Sequence, residues 1–237
     1  MALNRKAFYD ALRPKLGALT QANVVGFEHV LDEAQSRRTP IHDLAYILAT
    51  AWWETGKTMQ PVREAYWLSE KWRAANLRYY PWYGRGLIQT TWEDNYRRLA
   101  ILLALGEDFF LNDPDKLLEW EYAIPALFTG METGLYTGMA LDDYIDGIDE
   151  PDDEDLREYI NARRIVNGTD KDSEIGNLAL TFEGALQAAQ YIPEHQPDDP
   201  GVDVPETDKP RSPIKSGGLI AILVGAAILV AFFIFGR

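Results

Sequence analysis

Apolar positions recur at helical spacing through most of the first 190 or so residues, and sustained strand alternation is missing. Leu44, Ile47, Leu48 and Ala51 fall at i, i+3, i+4 and i+7, one stripe of a 3.6-residue period. Thr39-Pro40 precedes the stripe as a start signal and Gly56 follows it as a stop. Ile101–Leu105, Trp120–Phe128 and Ile175–Ala189 read as further helical segments, and the pattern breaks into loops around Pro61 and Pro81. The expectation is a mainly α head over residues 1–191.

A different pattern closes the chain. Gly217–Gly236 is twenty consecutive uncharged, mostly apolar residues. As a helix at about 1.5 Å per residue it spans roughly 30 Å, the hydrocarbon thickness of a bilayer. It reads as a C-terminal transmembrane helix, 217–236, contacting lipid. Residues 192–216 between head and span are rich in Pro and Asp, with little to bury, and read as a disordered, semi-rigid linker. The opening MALNRKAFYD has no apolar run, so no secretory signal peptide is expected.

Charge and composition narrow the chemistry. The net charge is −14, which argues against nucleic acid as a partner. Ten acids against one Arg between Leu141 and Ile160 carry much of that charge, and this run reads as a solvated face or loop. It lacks the residue order of a calcium loop. Cysteine is absent, so disulfides, a thiol nucleophile and thiolate metal sites are excluded. His29, His42 and His195 are too dispersed to suggest a metal cluster, and no metal or other cofactor is expected. No serine sits in a nucleophile elbow, and Gly84-Arg85-Gly86 lacks the rest of a phosphate loop.

Carboxylate chemistry remains. Glu54 lies at the edge of the apolar stripe, directly after Trp52 and Trp53. A carboxyl at an apolar, aromatic border is partly desolvated, which disfavours its charged form and suits a general acid. Glu64 follows Pro61 on a different element, so the two carboxylates can face each other across a cleft. Between Arg78 and Tyr96 aromatics alternate with Gly, Gln, Thr and Asn. Aromatic faces stack on sugar rings, and amides pair with hydroxyl and acetamido groups.

ETGKTMQPVRE followed by YYPWYGRGLIQTTWEDNY resembles the glycoside hydrolase family 19 chitinases, especially their phage endolysin branch. Leu111-Asn-Asp-Pro-Asp115, GMETGLYTGMALDDY from Gly130 and NARRIVNGTD from Asn161 extend the likeness over roughly residues 40–190. Trp53 stands where the family often has His, Pro81-Trp82 is inserted before Gly84, and Asp94 replaces a Tyr usual in plant members. The resemblance implies a two-lobed, lysozyme-like catalytic domain. It implies Glu54 as general acid, Glu64 as base and Thr91 as the hydroxyl that positions the attacking water. Gln89, Asn95 and Asn167 match substrate-contacting side chains, and Tyr83, Arg85, Trp92 and Tyr96 belong to the same sugar-binding block.

The expected activity is inverting hydrolysis of β-1,4 bonds in peptidoglycan glycan strands. Chitin is the rival substrate, lytic transglycosylation the rival reaction, and an inactive glycan-binding or structural protein the non-enzymatic alternative. Lys209, Arg211 and Lys215 precede the span and only Arg237 follows it, which keeps the head on the cytoplasmic side of a host membrane. A wall hydrolase so placed reaches its substrate if the membrane becomes the internal membrane of a phage virion, delivered at entry. Gly217, Ala221 and Gly225 form a small-residue face that permits pairing with other virion membrane proteins.

Overall fold

The computed structural model describes residues 3–148 and 151–193. Within them the fold is mainly helical: α1 (Arg5–Leu16), α2 (Gln21–Arg37), α3 (Ile41–Glu54), α4 (Glu70–Asn76), α5 (Glu93–Leu102), α6 (Phe109–Asn112), α7 (Trp120–Glu132), α8 (Asp152–Ala162) and α9 (Asp172–Ala188). Two short strands, β1 (Val62–Arg63) and β2 (Arg85–Gly86), pair antiparallel with Val62 opposite Gly86 and Arg63 opposite Arg85. Single 3-10 turns occupy Pro114–Leu118, Leu141–Asp143 and Arg163–Ile165.

Helix α3 begins after Pro40 and ends as its sequence predicts. Gly56 adopts a left-handed φ of 60°. Its N–H donates to the Trp53 carbonyl, and the Lys57 N–H donates to that of Trp52. These two bonds are a Schellman stop, which needs a residue tolerant of positive φ. The turn that follows is fastened to α2. Thr20 and Asn23 form a reciprocal capping box at the start of α2, and Asn23 Nδ2 also donates to the Lys57 and Thr58 carbonyls at 2.8 and 2.9 Å. Gly26 completes the junction, because a Cβ there would lie 1.9 Å from the Met59 carbonyl oxygen.

Most of the core gathers around α9, which packs along α1, α3 and α8. Phe27 stacks on Trp52 at 5.6 Å and meets Phe182 at 5.7 Å. Each such fully buried side chain contributes about 1.5–3 kcal/mol relative to an exposed one. A second apolar cluster joins Tyr96, Leu99, Phe110, Leu117, Ala126 and Leu135. Helix α7 lies between the two, with Ile124, Leu127 and Phe128 in the first and Ala126 in the second. Helices α3 and α8 both pack on α9 and touch each other through long side chains: Tyr46 stacks on Tyr159 with centroids 6.2 Å apart, and Glu54 meets Arg163 just beyond α8.

The segments predicted at Trp120–Phe128 and Ile175–Ala189 fall in α7 and α9, the latter with only its last residue outside. The one at Ile101–Leu105 is corrected: α5 stops at Leu102, and Ile101 and Leu102 are exposed. Ala104 takes a φ of 56°, and the Leu105 N–H turns back to the Ala100 carbonyl, closing a Schellman stop without glycine. The linker from residue 194 onward and the apolar run 217–236 lie outside the described residues. Among the described residues no helix is long and apolar enough to cross a membrane.

Candidate functional site

Glu54 is the last residue of α3, and its side chain is only 6% exposed. Its Oε1 accepts a 2.7 Å hydrogen bond from Nη1 of Arg163, itself 1% exposed. Arg163 Nε donates to the Asp170 carbonyl at 2.9 Å, so the guanidinium is aimed from two sides. Among the described residues, Glu54 Oε2 accepts no hydrogen bond. The Trp52 ring stacks on Phe27 in the core, and no local pattern around Glu54 signals its ion pair with Arg163. Asn167, predicted to meet substrate, sits in the turn after Arg163, its backbone N–H donating to the Arg163 carbonyl at 3.0 Å.

Glu64 follows β1 directly. Its Oε1 accepts from the Tyr79 hydroxyl at 2.7 Å and its Oε2 from the Gly84 N–H at 3.0 Å. The Glu64 N–H donates to the Gly84 carbonyl at 2.7 Å, so side chain and backbone both grip the neighbouring segment. Gly84 is needed at this approach: a Cβ would lie 2.7 Å from Gln89 Oε1. Burial, and then the Glu64 carboxylate, push the Tyr79 hydroxyl well above its ordinary range, so it remains a donor at physiological pH.

Beneath this hairpin lies a buried polar network. Arg85 Nε donates to Asp115 Oδ1 at 2.8 Å, and its Nη1 donates to the Pro81 and Tyr83 carbonyls and to the Tyr96 hydroxyl. The Tyr96 hydroxyl donates to the Tyr83 carbonyl at 2.6 Å, and the Tyr83 hydroxyl to Glu70 at 3.0 Å. Burial opposes the charge of Asp115, but hydrogen bonds from Arg63 and Arg85 outweigh it and hold this carboxyl below its ordinary value. Tyr83, Arg85 and Tyr96 were expected to meet substrate. All three are buried, and both hydroxyls and the Arg85 Nε and Nη1 donate to protein partners, so in this structure they support the hairpin.

The other expected contacts divide. Gln89, at a φ of 55°, donates from Nε2 to the Val62 and Gly86 carbonyls and so ties the two strands together. Thr91 Oγ1 donates to the Gln89 carbonyl at 2.9 Å, which leaves its lone pairs able to accept from a water. Asn95 Nδ2 donates to the Thr91 carbonyl, leaving its amide oxygen to accept. Trp92 is 38% exposed, with Tyr79 edge-on at 5.1 Å and the Arg78 guanidinium 5.2 Å from its ring. Tyr66, Trp67 and Tyr80 are exposed aromatics in the adjoining loops.

No family model, curated protein or solved structure matches the chain. What the site can do follows from its own chemistry. The structure brings Glu64, Tyr83, Arg85, Gln89, Thr91, Asn95 and Tyr96 into one hairpin network, and sets Glu54, Arg163 and the Asn167 turn on another pair of elements. A depression of about 470 Å³ borders Glu54 in sequence, lined by Trp52, Trp53, Lys57 and Asn177, yet neither Glu54 nor Glu64 lines it. Sequence reasoning missed Arg163 and Tyr79, although both lie in motifs it had singled out, NARRIVNGTD and YYPWYGRG.

One further reading is corrected. The charge run predicts a solvated face, but Asp155, on α8, is only 2% exposed. An Asp at the fourth position of α8 faces inward, while Asp152 and Asp153 face solvent. There one of its carboxylate oxygens lies within 4.8 Å of a His42 ring nitrogen and of a Glu183 carboxylate oxygen.

Proposed function

We propose that the head is a glycoside hydrolase cleaving β-1,4 bonds in peptidoglycan on a two-lobed, lysozyme-like fold. The observation that carries this reading is the pair of glutamates fixed on separate elements, Glu54 by Arg163 and Glu64 by Tyr79 and Gly84. Exposed aromatics beside Glu64 offer faces for sugar rings, which supports a glycan substrate.

In this scheme Glu54, an ion-paired carboxylate in the free protein, takes up a proton at Oε2 when substrate binds and gives it to the glycosidic oxygen as the bond breaks. Arg163 stabilises the carboxylate charge that appears at Glu54, an interaction that strengthens in the transition state. A water accepted by Thr91 attacks the anomeric carbon from the opposite face and passes its proton to Glu64. Inversion requires about 6.5–9.5 Å between the two carboxyls, to admit that water. Glu54→Gln keeps the shape but has no proton to give. Clearing of a sacculus suspension by this variant should fall at least about 100-fold while its circular dichroism is unchanged. Wild-type clearing rates in a folded variant would remove Glu54 from the mechanism.

The same reading includes membrane attachment through 217–236 and a place in the internal membrane of a phage virion, acting at entry. It is supported by the apolar run and by the basic residues before it. Zymography of detergent-fractionated virions tests it: a lytic band near 27 kDa should follow the lipid fraction. Activity confined to the soluble lysate would contradict it.

A further inference from the structure

His42 on α3, Asp155 on α8 and Glu183 on α9 meet inside the first core. Each offers one ligand atom, and these atoms all lie within 4.8 Å of one another. All three residues are buried, at 4%, 2% and 5% exposure. His42 adds the telling detail: neither ring nitrogen has a hydrogen-bond partner, and Nε2 lies 3.9 Å from Glu183 Oε1. A buried imidazole with both nitrogens unmatched is costly unless something accepts or coordinates them.

The surroundings give the charge a sign. Glu183 accepts from the Tyr159 hydroxyl and from Gln187 Nε2, each at 2.9 Å, which orients its carboxylate. Asp43 follows His42 on α3, Glu158 lies one turn after Asp155 on α8, and both are acids. The group is therefore one imidazole among carboxylates, in a place where uncompensated charge is expensive. One divalent cation would neutralise two carboxylates and give His42 an electron-pair acceptor.

We propose that His42, Asp155 and Glu183 form a structural site for one divalent transition-metal cation that clamps α3, α8 and α9 together. The mixed nitrogen and oxygen donor set, with no sulfur, suits zinc or manganese; calcium prefers oxygen alone. At metal–ligand distances of about 2.0–2.2 Å tetrahedral donors stand about 3.4 Å apart, so side-chain movements of about an ångström draw these atoms, now within 4.8 Å of one another, around one ion. The carboxylate bonds from Tyr159 and Gln187 are the outer contacts that such sites use to orient their ligands. The clamp joins α3 to α8 at the end opposite the Glu54–Arg163 pair, so it fixes the helix that presents Glu54 without touching substrate.

The test uses untagged, full-length protein purified without chelator. Elemental analysis should find roughly one zinc or manganese per chain. Stripping the metal should lower the melting midpoint by about 5–10 °C, and adding Zn2+ or Mn2+ back should restore it. His42→Ala and Asp155→Asn should each lower metal content at least about 10-fold. If neither variant folds, X-ray absorption of the wild-type protein should show one imidazole and only nitrogen or oxygen neighbours. Protein that is metal-free as isolated, takes up neither ion and melts unchanged in their presence overturns the proposal. So does full metal retention in folded His42→Ala, or sulfur or multiple imidazoles around the metal.

Discussion

Replacing Arg163 with Met tests the pair on which the proposed acid depends. The Arg163 and Glu54 side chains are 1% and 6% exposed, so the ion pair is hidden from solvent screening. Removing one partner of such a pair costs about 3–5 kcal/mol, because the other charge is left uncompensated. The Asp170 carbonyl loses its donor as well. In a chain of this size each kcal/mol moves the midpoint by about 2–4 °C, so the melting point should fall by about 6–20 °C. Urea unfolding read by tryptophan fluorescence suits the purpose, since Trp52 and Trp53 adjoin Glu54. The double variant Arg163→Met/Glu54→Gln removes the stranded charge and should be more stable than the sum of the single effects by at least about 1.5 kcal/mol. A loss below about 1 kcal/mol for Arg163→Met, additive with Glu54→Gln, would mean that the two side chains are not coupled and would refute the reasoning.

Tyr79→Phe removes one of the two donors to Glu64 and leaves the Gly84 N–H. A hydrogen bond to a charged group contributes about 1.5–3 kcal/mol, so kcat should fall roughly 10- to 100-fold with a smaller change in KM; unchanged steady-state kinetics would count against Glu64 as base. Burial, and next the charge of Glu132, push the Asp43 carboxyl up to about 6. Its folded value thus exceeds its unfolded one, so the stability of the protonated form is full below about pH 4 and lost as pH rises through about 6. Asp43→Asn, neutral throughout, should gain up to about 3 kcal/mol at pH 7.5 and little at pH 4, as read by unfolding at both values.

What could be read from the sequence was what neighbouring residues decide. The stripe from Leu44 to Ala51 and the stop at Gly56 define α3 locally, and the breaks at Pro61 and Pro81 mark the segments that form the hairpin. The end of α5 was not legible, because Ala104 takes a left-handed conformation for which its residue type gives no signal. The Glu54–Arg163 pair joins residues 109 positions apart, and no local pattern connects them. Asp155 was concealed by its acidic neighbours, since a charge run shows composition while only the helix phase turns one member inward. Within the aromatic block, motif spacing did not separate Trp92, which is exposed, from Tyr83 and Tyr96, which hold the hairpin from below.

The most direct test of the proposed hydrolysis is mass spectrometry of fragments released from purified sacculi in ¹⁸O-labelled water. Wild-type protein should release glycan fragments with one ¹⁸O at each newly formed reducing end, and Glu54→Gln should release none. Fragments with 1,6-anhydro ends and no label, or no release of glycan at all, would contradict hydrolysis by the Glu54 and Glu64 pair.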